Sequence, residues 1–166
     1  SAMRNFPRPL FKVGVVYFLA WACWFACLPA YSVWIGQSVL GGNPKAAVGT
    51  VESLEYQRGV NVFSLASMFK AVIALAFSAY YPFMVRVVGD IGERVVFGIP
   101  FLVFSMALWI VANTKSAFLA GFVVVLGAIP FIATQTIPVA IAVSAFPDNL
   151  ASNLGILNLF CVSAQL

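Results

Sequence analysis

Residues 117–166 read AFLAGFVVVLGAIPFIATQTIPVAIAVSAFPDNLASNLGILNLFCVSAQL. No charged residue occurs between Ser116 and Pro147. A helix needs about 20 mostly apolar residues to cross a bilayer, so this run is long enough. Pro130 and Pro138 stand inside it, and between them lies Gln135, flanked by Thr134 and Thr136. Two such prolines would break a helix in water. In a membrane, neighbouring helices and Ser/Thr side chains take up the freed backbone groups. The stretch therefore predicts a kinked transmembrane helix over residues 117–146. Lipid surrounds a mid-depth Gln only at a cost, so Gln135 is expected to face protein or a watery cavity.

Composition extends this reading to the whole chain. Of its 166 residues 63% are hydrophobic and 8% charged, where soluble domains carry roughly 25% charged residues. The expected fold class is all-α, a polytopic transmembrane helix bundle. A net charge of +4 is too small and scattered for a nucleic-acid surface, and in a membrane protein it sets topology instead. There is no histidine, which removes the commonest metal ligand and the usual general base near neutral pH. Cys23, Cys27 and Cys161 lie in apolar runs without metal-ligand spacing and read as small buried side chains. No phosphate-cradling loop, nucleophile elbow or carboxylate pair occurs. The sequence thus predicts neither an enzyme nor a metal or cofactor site.

Residues 1–12 form a basic segment with Arg4, Arg8 and Lys12, and residues 13–166 form the transmembrane domain. Its spans are expected at about 13–31, 60–85, 95–113 and 117–146, with an incomplete fifth at 153–166. That last helix has about 14 residues, roughly 21 Å, against a hydrocarbon core of about 30 Å. The chain is therefore expected to stop inside a helix. In the first span Ala22, Ala26 and Ala30 form a small-residue stripe that lets helices approach closely. Trp21 and Trp24 lie too deep for a purely interfacial belt. Residues 32–59 read as the longest loop, with a turn at Gly41-Gly42-Asn43-Pro44 and a solvated face of Glu52, Glu55 and Arg58.

The second span contains Lys70. It lies about 15 Å along the helix from Val60, too deep to snorkel easily. A central Lys costs at least about 2.5–3.5 kcal/mol on insertion scales. Ser67, Lys70, Ala74, Ser78 and Tyr81 recur at helical spacing and share one polar or small face. Two readings stay open: a cavity-facing cation that binds a ligand or balances an acid, and a structural ion pair or set of bonds to carbonyls. The third span, bulky and without chemistry, reads as a lipid-facing packing helix. Asp148 reads as a helix-start residue.

Several segments together resemble the sucrose–proton symporters of plants and their animal relatives, within the major facilitator superfamily. They are Gly127-Ala-Ile-Pro130, Thr136-Ile-Pro138-Val-Ala-Ile-Ala, Leu154-Gly-Ile-Leu-Asn158-Leu and Gln165. Trp34-Ile-Gly36, Gly41-Gly42 and Tyr56-Gln-Arg-Gly59-Val60 follow the same family's order after its seventh helix. Arg86-Val-Val-Gly89-Asp90-Ile-Gly92-Glu93-Arg94 resembles the short Gly-Asp-x-x-Gly-x-Arg loop that major facilitators repeat in each half, one residue tight. The resemblance covers about residues 11–166 and implies the seventh to early eleventh helices of a twelve-helix transporter, a partial second half. It implies binding of a sugar or other small polar solute between two rocking halves. Tyr31, Lys70, Gln135, Asn158 and Trp24 are then the cavity candidates, Trp24 either packing or stacking on a sugar ring. Asp90 and Arg94 are gating candidates, with a plain capped turn as the alternative. At one place the resemblance departs. The plant proteins carry acidic residues just before the Trp-x-Gly, where this chain has Tyr31 and Val33, and this weakens the implication of proton coupling.

Two functions follow as expectations. One is a solute transporter whose partners are the bilayer, its solute, protons where coupled, and the first half of a transporter. The other is a transport-inactive, transporter-derived structural subunit among other membrane subunits. Charge counting places Arg4, Arg8, Lys12, Arg86 and Arg94 on one side and Lys45, Arg58 and Lys115 on the other. That puts the amino terminus in the cytoplasm or its organellar equivalent.

Overall fold

The chain forms helices because its apolar runs leave backbone groups no water to bond with, and a helix satisfies them internally. The computed structural model describes residues 7–88, 92–147 and 149–166. Its elements are α1 (Arg8–Val33), a π-helical segment (Trp34–Val39), α2 (Val51–Val88), α3 (Gly92–Val111), α4 (Ala117–Leu126), α5 (Ala128–Ala145) and α6 (Leu150–Ser163). Among the described residues, four stretches are long and apolar enough to cross a membrane: Arg8–Val39, Val51–Met84, Arg94–Val111 and Ala117–Ala145. The protein is an all-α, multi-pass integral membrane protein.

The fourth stretch is interrupted where its prolines require it. Pro130 has no N–H to donate to the Leu126 carbonyl, and its ring crowds that carbonyl. The helix accordingly ends at Leu126 and restarts at Ala128, with Gly127 between. Pro29, Pro82, Pro100 and Pro138 stay within their helices, as membrane helices permit.

The residues fall into two compact units. The first combines Ser1–Cys27 with Ala133–Leu166. Its core is Leu10, Ala142 and Leu157, flanked by Val13, Phe146 and Leu154. Gly14 admits the ring of Phe160, since a Cβ there would stand 2.6 Å from Phe160 Cε2. Phe160 also meets Phe11 edge-on, with centroids 5.7 Å apart. Asn149 adopts the left-handed conformation (φ 58°) that opens α6, a region Asn enters more readily than most residues. Asn153 Nδ2 then donates to the Phe146 carbonyl at 3.3 Å, tying the start of α6 to the chain that leaves α5.

The second unit is Leu28–Ile132. Here helical structure fills much of residues 32–59, which the charge pattern assigns to a loop. The first helix continues through the π-helical segment to Val39, and α2 starts at Val51. Charge counting mistakes a solvated helix for a loop at this point. Thr50 caps α2 by accepting a bond from the Ser53 N–H at 3.4 Å. Glu52 lies in the first turn, where the helix dipole favours an acid, and Glu55 pairs with Arg58 at 3.6 Å. Only residues 40–50 remain irregular, with Gly41 at φ 73°.

Glycines set how closely this unit packs. A Cβ on Gly59 of α2 would stand 2.6 Å from the Gly36 nitrogen of the π-helical segment. A Cβ on Gly36 would in turn meet Tyr56 Cδ2 at 2.7 Å. On α4, Gly121 faces Val62 and Ala66 of α2. The Lys115 Nζ donates to the Ser38 carbonyl at 2.7 Å, so the α3–α4 connection and the end of the π-helical segment share one end of the unit. The α3 helix exposes Ile99, Leu102, Val103, Met106, Trp109 and Ile110, in keeping with a lipid-facing helix.

Candidate functional site

Helix α2 is turned inside out relative to a soluble helix. Leu65, Met68, Phe69, Val72, Ile73, Leu75, Tyr80 and Phe83 are exposed, as suits lipid contact. Ala66, Lys70 and Tyr81 are buried, and Ser67, Ala74 and Ser78 are half-buried. The structure thus turns inward the face that helical spacing groups in the sequence. Lys70 lies twelve residues after Arg58 and sixteen before Arg86, about 18 Å and 24 Å along the helix. Both ends of a core of about 30 Å are therefore far from it.

The Lys70 side chain is 9% exposed. Its Nζ stands 4.2 Å from the ring centroid of Phe131, in the first turns of α5. An ammonium over an aromatic face is attracted by the ring quadrupole, by about 2 kcal/mol or more when desolvated. The ring thereby offsets part of the cost of holding a cation at this depth. Pro130, by restarting the helix at Ala128, sets where the next residue, Phe131, presents its ring. Nothing in the sequence signals Phe131, because the contact joins residues far apart in the chain.

Tyr31 belongs to the same unit and is 5% exposed. Its ring stacks on Phe63 of α2, with centroids 6.3 Å apart and planes 28° apart. Phe63 is two helical turns before Lys70 on the inward face, about 10 Å away along the axis. The inward side of α2 thus carries both the Lys70–Phe131 and the Tyr31–Phe63 contacts.

Trp24, Gln135 and Asn158 belong to the first unit. Trp24 is 2% exposed, and its Nε1 donates to Thr134 Oγ1 at 3.2 Å in a fully buried bond. A buried indole N–H needs such a partner. Thr134 stands four residues before Pro138, the residue that cannot donate to its carbonyl. Gln135, next in sequence, is half-buried, and Asn158 is exposed. The buried amide of α6 is instead Asn153. Of the gating candidates, Asp90 lies outside the described residues, as does Asp148, while Arg94 is exposed near the start of α3. The structure thus brings Lys70 and Tyr31 into one unit and Trp24 and Gln135 into the other.

No family model matches the chain. Over 143 residues, 82% of its length, it is 28% identical to Solute carrier family 45 member 3 of Mus musculus. Over 113 residues, 68% of its length, it is 27% identical to Sucrose transport protein SUT5 of Oryza sativa subsp. indica. The matched regions are 24% and 20% of those proteins, so the chain spans about a quarter or less of the relatives it resembles.

Proposed function

We propose that this chain is part of a membrane transporter that moves a sugar or another small polar solute by alternating access. The inward, polar face of α2 carries the reading, with Lys70 held near mid-membrane against Phe131. Ionisable groups at that depth are expensive and mark solute or ion paths. The likeness to a sucrose transport protein and to a solute carrier supports the same class. Within it, Lys70, Tyr31, Gln135, Asn158 and Trp24 are the solute-binding candidates, and Asp90 and Arg94 the gating pair. A two-sided cavity in this class forms between two halves, and this chain supplies part of one. Proton coupling is not required by the reading, since Tyr31 and Val33 stand where the plant symporters carry acids.

The test is counterflow in proteoliposomes holding the whole protein that contains this chain. A panel of labelled sugars and sugar derivatives is offered from outside. At least one solute is expected to accumulate above protein-free vesicles, with Lys70→Met lowering its initial rate at least about tenfold, the loss of one strong interaction. A correctly folded protein that moves none of the panel would overturn the transport reading and leave a structural subunit of a larger membrane assembly.

A further inference from the structure

The ring that meets Lys70 stands on a fixed mount. Phe131 and Lys70 both belong to the second unit. The Phe131 N–H donates to the Gly127 carbonyl at 3.1 Å, which closes the first turn after the break between α4 and α5. Gly127 is pressed against α3: a Cβ there would stand 3.0 Å from Phe104 Cε2. Pro130, one residue before the ring, is fully buried. Its fixed φ and missing N–H leave the start of α5 little freedom. Lys70, by contrast, carries its charge on a flexible four-carbon stem. One partner of the pair is rigid and the other is not.

Resting on the transport reading above, we propose that Phe131 is a positioning residue for solute binding: its ring face holds the Lys70 ammonium where a solute oxygen meets it. The ring centroid lies 4.2 Å from Nζ, well inside the roughly 6 Å over which a ring quadrupole attracts a cation. Lys70 has further contacts, and the ring adds one of a different kind. It offers no oxygen, so it draws the ammonium to one side without taking the place of a solute oxygen. The three N–H donors of an ammonium then serve oxygens, those of the solute among them. Without the ring, the ammonium spends part of its time elsewhere. The apparent affinity for the solute then falls with the fraction of molecules that hold the competent arrangement. Lys70 is the side chain that reads the solute, and Phe131 acts through it.

The experiment separates ring electrons from ring volume. In the whole protein, position 131 carries phenylalanine or its mono-, di- or trifluoro derivative, each in the parent and in a Lys70→Met background. Fluorine withdraws electrons from the ring face and hardly changes its size. Counterflow of labelled sucrose, and of the other labelled sugars in the panel, is followed in proteoliposomes with KM and kcat read separately. Thermal unfolding shows whether each variant is folded. For a transported sugar, KM is expected to rise stepwise with fluorination, at least about fivefold at the trifluoro ring, with kcat held within about twofold. Phe131→Leu, which removes the ring, is expected to match or exceed that rise. In the Lys70→Met background the residual rate is expected to be indifferent to fluorine. A parent KM indifferent to fluorine, or a fluorine effect that persists without Lys70, would overturn the proposal and leave the transport reading standing. A folded parent that moves no sugar would overturn the transport reading, and the proposal with it.

Discussion

Alanine at Gly59 is expected to cost at least about 3 kcal/mol of stability, the upper end of what overpacking usually costs. The added Cβ would lie against the backbone of Gly36, 2.6 Å from its nitrogen and 3.0 Å from the Ile35 carbonyl carbon. A side chain could swing aside, but this neighbour is the main chain of the π-helical segment. Relief requires that whole segment to move off α2, which also disturbs the Gly36–Tyr56 contact beside it. Gly98→Ala is the control, since a Cβ there meets nothing within 4 Å and Ala is the better helix former by about 1 kcal/mol. Thermal unfolding in a mild detergent should show Gly59→Ala melting far below the parent and Gly98→Ala at or above it. Equal melting of the two variants would contradict the close approach.

The second large effect is expected at Trp24. Truncation to alanine removes a buried indole and the hydrogen bond it gives to Thr134 Oγ1. Large-to-small core changes of this kind cost about 3–5 kcal/mol. Trp24→Phe helps separate the causes, because it keeps an aromatic ring in place and loses the hydrogen bond to Thr134. Interhelical hydrogen bonds in membranes are worth about 0.6 kcal/mol on average and up to about 1.7. The phenylalanine variant should therefore lose well under half of what the alanine variant loses, read by the same unfolding measurement. Equal losses would mean that the bond to Thr134, not packing, holds this part of the first unit together.

These sites also show what the sequence could disclose. Spans are legible because lipid excludes charge, so runs without charge mark them. Their ends are less so: Glu52, Glu55 and Arg58 read as loop, although they decorate the solvated start of α2. The break at Gly127 follows from Pro130, whose missing N–H is visible in the sequence. The inward face of α2 follows from helical spacing, which groups Ser67, Lys70, Ser78 and Tyr81. The partners of those faces do not follow. Phe131 under Lys70 and Thr134 beside Trp24 are contacts between distant segments, and no local pattern encodes them. In α6 both Asn153 and Asn158 are polar residues on an apolar helix. Only the packing of Asn153 against the Phe146 carbonyl distinguishes them.

The claim that Lys70 faces a solute path is tested most directly by thiol accessibility. Cys23, Cys27 and Cys161 are replaced by serine or alanine in the whole protein, and Lys70→Cys is introduced, with Lys45→Cys in the exposed loop as a positive control. Membranes are treated with a water-soluble, membrane-impermeant methanethiosulfonate reagent, with and without the transported solute. Modification at position 70 that the solute slows, while the control at position 45 is unaffected by solute, is the expected result. Prompt labelling at position 45 with none at position 70, from either side of the membrane, would contradict the account and place Lys70 in a sealed structural contact.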